Sequence, residues 1–315
     1  MAAINRPTPA LLQEYLWKHE LPRRRLHHPL LPSPEKILRY GAIVGSAIQC
    51  HSTIDRAMEH ARQHITHLEE RGVSAASGTV ILADTLVRSK GRFSRTWHAP
   101  TGGLWGCLIL ADTFMGRART LLPLTLGVAC CEAVHELGAR NACVRWVNDV
   151  LVSGQKLAGF LVESFRSPTH NESFHLLGFG ININNNCFPD PLANMAVSLS
   201  QVLGHPINLH DFTLSFLAKM AWNVGLICYE EEQGLHCDFS WEDRGNTEEQ
   251  KDHLLLEQWK NVSDTIGKRV IYGYDIQQKP QYEARVTGIK PDGGIIMRLD
   301  DDHEIIEHSG ELQYL

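Results

Sequence analysis

The chain has 315 residues, 43% of them hydrophobic and 21% charged, with a formal net charge of −6. That is enough apolar material for one large domain and a small one. Acidic and basic residues are interspersed, so no whole-protein field draws in nucleic acid or an anionic membrane, and neither is expected as a partner.

Residues 1–44 read as an N-terminal arm. The stretch is rich in proline, carries Arg23-Arg24-Arg25, and offers one short helical candidate at 9–19. An extended or loosely docked segment is expected, without room for the helices of a DNA-binding domain. From Ser52 the apolar spacing Ile54, Ala57, Met58, Ala61, Ile65, Leu68 predicts a helix ending near Gly72, with Ser52 and Asp55 as a capping box. Residues 78–84 and 104–110 read as buried strands separated by a polar loop, 85–103. A helix is predicted over 121–138, strands over 142–147 and 150–152, and a turn at Ser153-Gly154 that makes 150–163 a hairpin. A strand over 176–184 and a helix over 211–231 complete the segment, and 233–262 is a polar connector with one short helix. After Gly267 short alternating strands predict a small β-barrel. The fold class is therefore α+β with a mixed or mainly antiparallel sheet, divided as 1–44, 45–262 and 263–315.

Apolar stretches such as 104–111 fall well short of the roughly 20 residues that cross a bilayer. Charge runs through Met1 to Arg25 where a signal peptide would be apolar, so a cytoplasmic protein is expected. The eight cysteines form no C-x-x-C pair and read as reduced structural residues, and the seventeen histidines show no metal-ligand spacing.

Four segments could carry chemistry. In 89–103, Arg92 and Arg95 stand among Gly91, Gly102 and Gly103, a composition suited to a carboxylate or phosphate. Trp97 adds a flat surface for a purine or a ligand chain. In 145–163, Lys156 could neutralise a substrate carboxylate and the α-phosphate of ATP, while Asp149 orients a ligand group or holds Mg²⁺. In 178–182, two glycines and Asn182 allow a backbone to press on a flat ligand. Taken singly, each has a plain structural reading as a solvated loop, a core tryptophan, a turn, a strand-edge charge or a glycine kink.

In order along the chain, these segments resemble the biotin protein ligases. The family's Ser-Thr-Asn-Asp pattern appears as Ser52-Thr53-Ile54-Asp55, and its Gly-Arg-Gly-Arg-x-Gly-Arg-x-Trp loop as residues Ser89 to Trp97. Lys-Trp-Pro-Asn-Asp appears as Arg145 to Asp149, Lys-Leu-Ala-Gly is complete at 156–159, and Gly-Ile-Asn is complete at 180–182. The resemblance runs from about residue 45 to the end. It implies a class II synthetase-like catalytic domain, an SH3-like C-terminal domain and no N-terminal DNA-binding domain.

It also implies a ligase that forms biotinyl-AMP from biotin and ATP with Mg²⁺, then transfers biotin to a lysine of a carboxylase carrier domain. Lys156 would then contact the biotin carboxylate and adenylate, Arg92 the phosphate, and Trp97, Asn148 and Asn182 the nucleotide side. Asp149 would assist with Mg²⁺ or ligand positioning, and Ser52, Thr53, Ile54, Lys90, Gly91, Arg95, Gly159 and Gly180 complete the binding set. Two alternatives stand beside this reading. Apolar Ile54 and Leu86 would suit a lipoate or octanoate ligase of the same fold, and a non-catalytic ligand-binding relative would use the pocket as a sensor. A sheet-edge homodimer is compatible with such a fold.

Overall fold

The computed structural model describes residues 6–27, 33–238 and 253–315. At its centre is a seven-stranded sheet in the order β1-β2-β3-β7-β6-β5-β4. The strands are β1 (Ala47–Ile54), β2 (Thr79–Leu86), β3 (Leu104–Ala111), β4 (Ala142–Arg145), β5 (Asp149–Val152), β6 (Gln155–Arg166) and β7 (Ser173–Ile181). Only β1 and β2 pair in parallel, and every other neighbour is antiparallel. Helices cover both faces, which is why β3 is buried at seven successive positions instead of alternating.

On one face lies helix α4 (Ala57–Glu70), which seats Ala57, Ala61 and Ile65 against Ile81, Cys107, Ile109 and Leu176. On the other lie α5 (Gly116–Glu136) and α7 (Leu209–Asp238). Within α7, Leu209–Leu235 is long and apolar enough to cross a membrane by length and composition, although no such span was expected. Its most apolar window is 94% buried in this fold, so it is the central core helix.

Two local expectations are overturned. Ser52 lies in β1, and α4 begins only at Ala57 after Arg56, which makes no side-chain cap. Pairing of Thr53 with Thr85 and Ile54 with Leu86 across β1 and β2 outweighs the local capping signal. The N-terminal arm is also not loose. Helix α1 (Pro9–Tyr15) continues through a π-helical turn (Leu16–Glu20) into α2 (Leu21–His27), and α3 (Pro34–Gly41) follows.

These helices bury Leu12, Leu16, Ile37 and Leu38 completely. They also insert charge. Arg24 donates to Glu20 at 2.7 Å and to Glu132 of α5 at 2.8 Å, while Lys219 of α7 reaches Glu20 at 3.3 Å and Glu136 at 2.6 Å. Arg24, Glu20 and Lys219 are each at most 1% exposed. The expected arm residues 1–5 and 28–32, and connector residues 239–252, lie outside the described residues.

After α8 (Leu254–Val262), a five-stranded antiparallel sheet forms the C-terminal SH3-like barrel: β8 (Arg269–Asp275), β9 (Lys279–Ile289), β10 (Ile295–Arg298), β11 (Glu304–Glu307) and β12 (Glu311–Tyr314). Strand β12, absent from the sequence reading, closes the order β11-β10-β9-β8-β12. The barrel is anchored to the main sheet where the Trp146 indole donates to the Gly293 carbonyl at 3.1 Å.

Candidate active site

The β5–β6 hairpin turns through Ser153 and Gly154, both at positive φ (51° and 82°), the geometry of a two-residue turn that matches strand twist. Past the turn, Leu151 pairs with Lys156 but Val150 pairs with Ala158, leaving Leu157 as an extra residue. Such a bulge reverses side-chain parity along the strand. Lys156 therefore shares a face with Gly159: a Cβ on Gly159 would lie 3.0 Å from Lys156 Cε and 3.2 Å from its Nζ.

The main chain of Lys156 is fixed from both sides. Its N–H donates to Met195 O at 2.8 Å, and its carbonyl accepts from Val197 N at 3.1 Å and from Asn182 Nδ2 at 3.3 Å. Its ammonium sits 2.6 Å from Asp149 Oδ1, while Arg145 holds Asp149 Oδ2 at 2.5 Å. Burial alone would raise the Asp149 carboxyl, but Lys156 and then Arg145 outweigh it and bring it down to about 2. Lys156 keeps 34% side-chain exposure against 15% for Asp149, so the cation is the member of the pair that a ligand reaches.

Trp97 closes the same face. A Cβ on Gly180 would meet its Nε1 at 2.7 Å, and one on Gly159 its Cζ3 at 3.0 Å, so the indole lies on the glycine floor of β6 and β7. Lys156 Nζ stands 5.3 Å from the ring centroid, and the indole N–H is buried without a hydrogen-bond partner. The glycines expected to admit a flat ligand thus admit Trp97 first. Gly180→Val is expected to displace the indole and cost about 1–3 kcal/mol as overpacking. Urea unfolding of the variant against wild type measures that loss.

Other candidates fall into place differently. Asn148 and Asn182 spend their amides on the main chain: Asn148 donates to Phe160 O at 2.5 Å, and Asn182 to Lys156 O while accepting from Asn185. They shape the strands that carry Lys156. Asp149 has a cation on each oxygen, an arrangement that repels a further one, so it does not fit the role of a Mg²⁺ ligand.

Ser52, Thr53 and Ile54 sit on β1, four strand spacings from β6, or roughly 19 Å. Ile54 and Lys90 line a cavity of about 420 Å³ together with Arg56, Glu59, His60 and Arg88. Gly91 donates to Arg95 O at 2.8 Å and stabilises the loop.

Arg92 and Arg95 depart most from expectation. Both were assigned to a phosphate or carboxylate, yet both reach the C-terminal barrel. Arg92 donates to Gly310 O, and Arg95 to both oxygens of Glu311 at 2.8 Å each and to Asp275. Sequence reading missed Arg145, Asn185, Asp275 and Glu311 as site-shaping residues. Arg145 follows from its place four residues before Asp149, whereas the two barrel carboxylates, 180 and 216 residues from Arg95, give no local signal.

Residues 60–182 match the profile of the biotin/lipoate A/B protein ligase family. The bifunctional ligase/repressor BirA of Bacillus subtilis is 30% identical over 213 residues, covering 61% of this chain and 63% of that protein. The biotin–[acetyl-CoA-carboxylase] ligase of Paracoccus denitrificans is 30% identical over 158 residues, covering 47% of this chain and 64% of that one. The chain thus spans less than two thirds of the length of these relatives. The biotin protein ligase of Aquifex aeolicus, solved in complex with biotin and ATP, shares the fold at a TM-score of 0.64 and 19% identity, covering 86% of this chain and 100% of that one. Residues 60–182 therefore match the biotin/lipoate A/B protein ligase family, and the fold is one shared with the Aquifex aeolicus biotin protein ligase.

Proposed function

We propose that this chain is an ATP-dependent biotin–protein ligase acting in the cytoplasm on a carboxylase carrier domain. In the first step a biotin carboxylate oxygen attacks the α-phosphorus of ATP, and the bond to pyrophosphate breaks. In the second, the amine of a carrier-domain lysine attacks the acyl carbon of biotinyl-AMP, and AMP leaves with the electron pair of the C–O bond. ATP enters as its magnesium complex, and no residue of this chain is assigned to that ion.

The observation that carries the reading is Lys156. A bulge turns it onto the floor beside Gly159, its backbone is fixed on both sides, and its ammonium is aimed by Asp149. A cation held this way neutralises the carboxylate and the α-phosphate as they approach, and stabilises the charge that builds at phosphorus without reorganising. Arg145 supports the process indirectly by sharing Asp149, so that Asp149 does not hold Lys156 alone. Trp97 keeps water from the mixed anhydride on one side.

A second reading has an observation in its favour. Ile54 and Leu86 are cross-strand partners and pack beside Met58 against the α4 core, an apolar end suited to an alkyl head such as lipoate or octanoate. The test offers purified protein a biotin-free carboxylase carrier domain and a lipoyl carrier domain. Each is supplied with MgATP and one of biotin, lipoate or octanoate, and intact mass of the carriers is read. Biotin on the carboxylase carrier alone supports the proposal; lipoate or octanoate on the lipoyl carrier alone replaces it.

A further inference from the structure

Loop 89–97 is anchored at two ends on two different domains. At its apex Arg95 forms a fork with Glu311 through Nη1–Oε1 and Nη2–Oε2, each 2.8 Å, and its Nη2 also reaches Asp275. Arg92 donates to Gly310 O, the residue before Glu311, and the Phe93 ring meets Tyr274 edge-on with centroids 5.3 Å apart. Asp275 ends β8 and Glu311 begins β12, neighbouring strands, so both carboxylates present from one edge of the barrel. Glu311 is oriented in turn by Ile276 N at 3.2 Å.

At the loop's other end Trp97 lies on Gly159 and Gly180. Between the two ends the loop closes on itself: Trp97 N donates to Ser89 O at 3.2 Å, Ser89 Oγ to Trp97 O at 2.5 Å, and Gly91 N to Arg95 O at 2.8 Å. A shift at Arg95 is therefore carried to Trp97 within a few bonds.

We propose that Asp275 and Glu311 are positioning residues. Through Arg95 they hold the loop shut so that Trp97 covers the Lys156 floor, which makes the barrel a working part of the site. Bidentate pairing of Arg95 with a carboxylate fixes the direction of the guanidinium as well as its distance, which a single contact would not do. Arg95 acts here through the barrel and not on a phosphate. The activity arm of this proposal rests on the ligase reading, while its structural arm does not.

The test is limited trypsin digestion of the full chain, followed by mass spectrometry of cleavage after Arg92, a site common to every variant used. Glu311→Gln with Asp275→Asn is expected to speed that cleavage tenfold to a hundredfold, the factor that follows from losing hydrogen bonds to a charged group. The exchange Arg95→Glu with Glu311→Arg is expected to restore protection, whereas Arg95→Glu alone is not. The exchanged pair also decides the matter if the neutralised variant does not fold.

Cleavage at the wild-type rate in Glu311→Gln/Asp275→Asn, or an exchange that fails to restore protection in a folded protein, overturns the latch. The carrier-labelling rate is read on the same proteins. Faster cleavage with unchanged labelling overturns the positioning role, whereas absence of labelling in wild type overturns the ligase reading and leaves the cleavage result standing.

Discussion

Lys156→Ala is expected to lower acyl-adenylate formation on the order of a hundredfold to a thousandfold, the cost of removing one preorganised charge or donor from a developing anion. The fold should tolerate the change. Lys156 is one-third exposed at the side chain, and Asp149 keeps Arg145 at 2.5 Å, so no carboxylate is left buried and unpaired. The split of the effect is informative. If Lys156 acts mainly as the charges develop at phosphorus, kcat falls while the KM values for acid and ATP move little. A rise in KM alone would assign Lys156 to ground-state binding. Single-turnover quantitation of acyl-AMP, with a thermal melt as a folding control, separates these outcomes.

Arg24→Met is expected to cost about 3–5 kcal/mol, since breaking a buried pair leaves uncompensated charge. Arg24 is 1% exposed and holds Glu20 and Glu132 together, and its guanidinium stands 4.8 Å from the Trp222 ring. Burial by itself would raise the Glu20 carboxyl; Arg24, Lys219 and Arg23 outweigh it and bring it to about 2 from an ordinary value of 4.5. Arg24 lowers Glu132 in the same direction.

A carboxyl depressed in the folded state stabilises the fold above its unfolded value, and that contribution disappears as pH falls through the folded value. The gap between wild type and Arg24→Met should therefore be full above about pH 4.5 and narrow on the way to about 2. Urea midpoints across that range measure it. A gap that is constant with pH would mean that the loss comes from packing against Trp222.

Much of the architecture was legible because burial and periodicity agree. The strand at 104–110, the Ser153-Gly154 hairpin and the long helix around 211–231 each carry an unambiguous pattern; the strand and the turn form where expected, and the helix runs on to Asp238. What failed to read depended on partners distant in sequence. Ser52 looks like a helix cap until β2 arrives beside it. Arg23-Arg24-Arg25 belongs to a stretch that reads as a loose arm until Glu132 and Glu136 of α5 receive Arg24 and Arg23.

The site divides the same way. Lys156, Asp149, Trp97, Gly159 and Gly180 lie in motifs whose order is visible, and they do converge. The bulge at Leu157 that aims Lys156 is a matter of register, and the barrel carboxylates that capture Arg95 are more than 150 residues from the loop. Neither leaves a mark on local composition.

The most direct test of the central claim is exchange of labelled pyrophosphate into ATP by the purified chain, with biotin, lipoate or octanoate supplied in turn and no carrier present. Exchange is expected to require biotin and to be lost in Lys156→Ala. A folded wild-type protein that exchanges with none of the three acids, or an undiminished rate in Lys156→Ala, would contradict that claim.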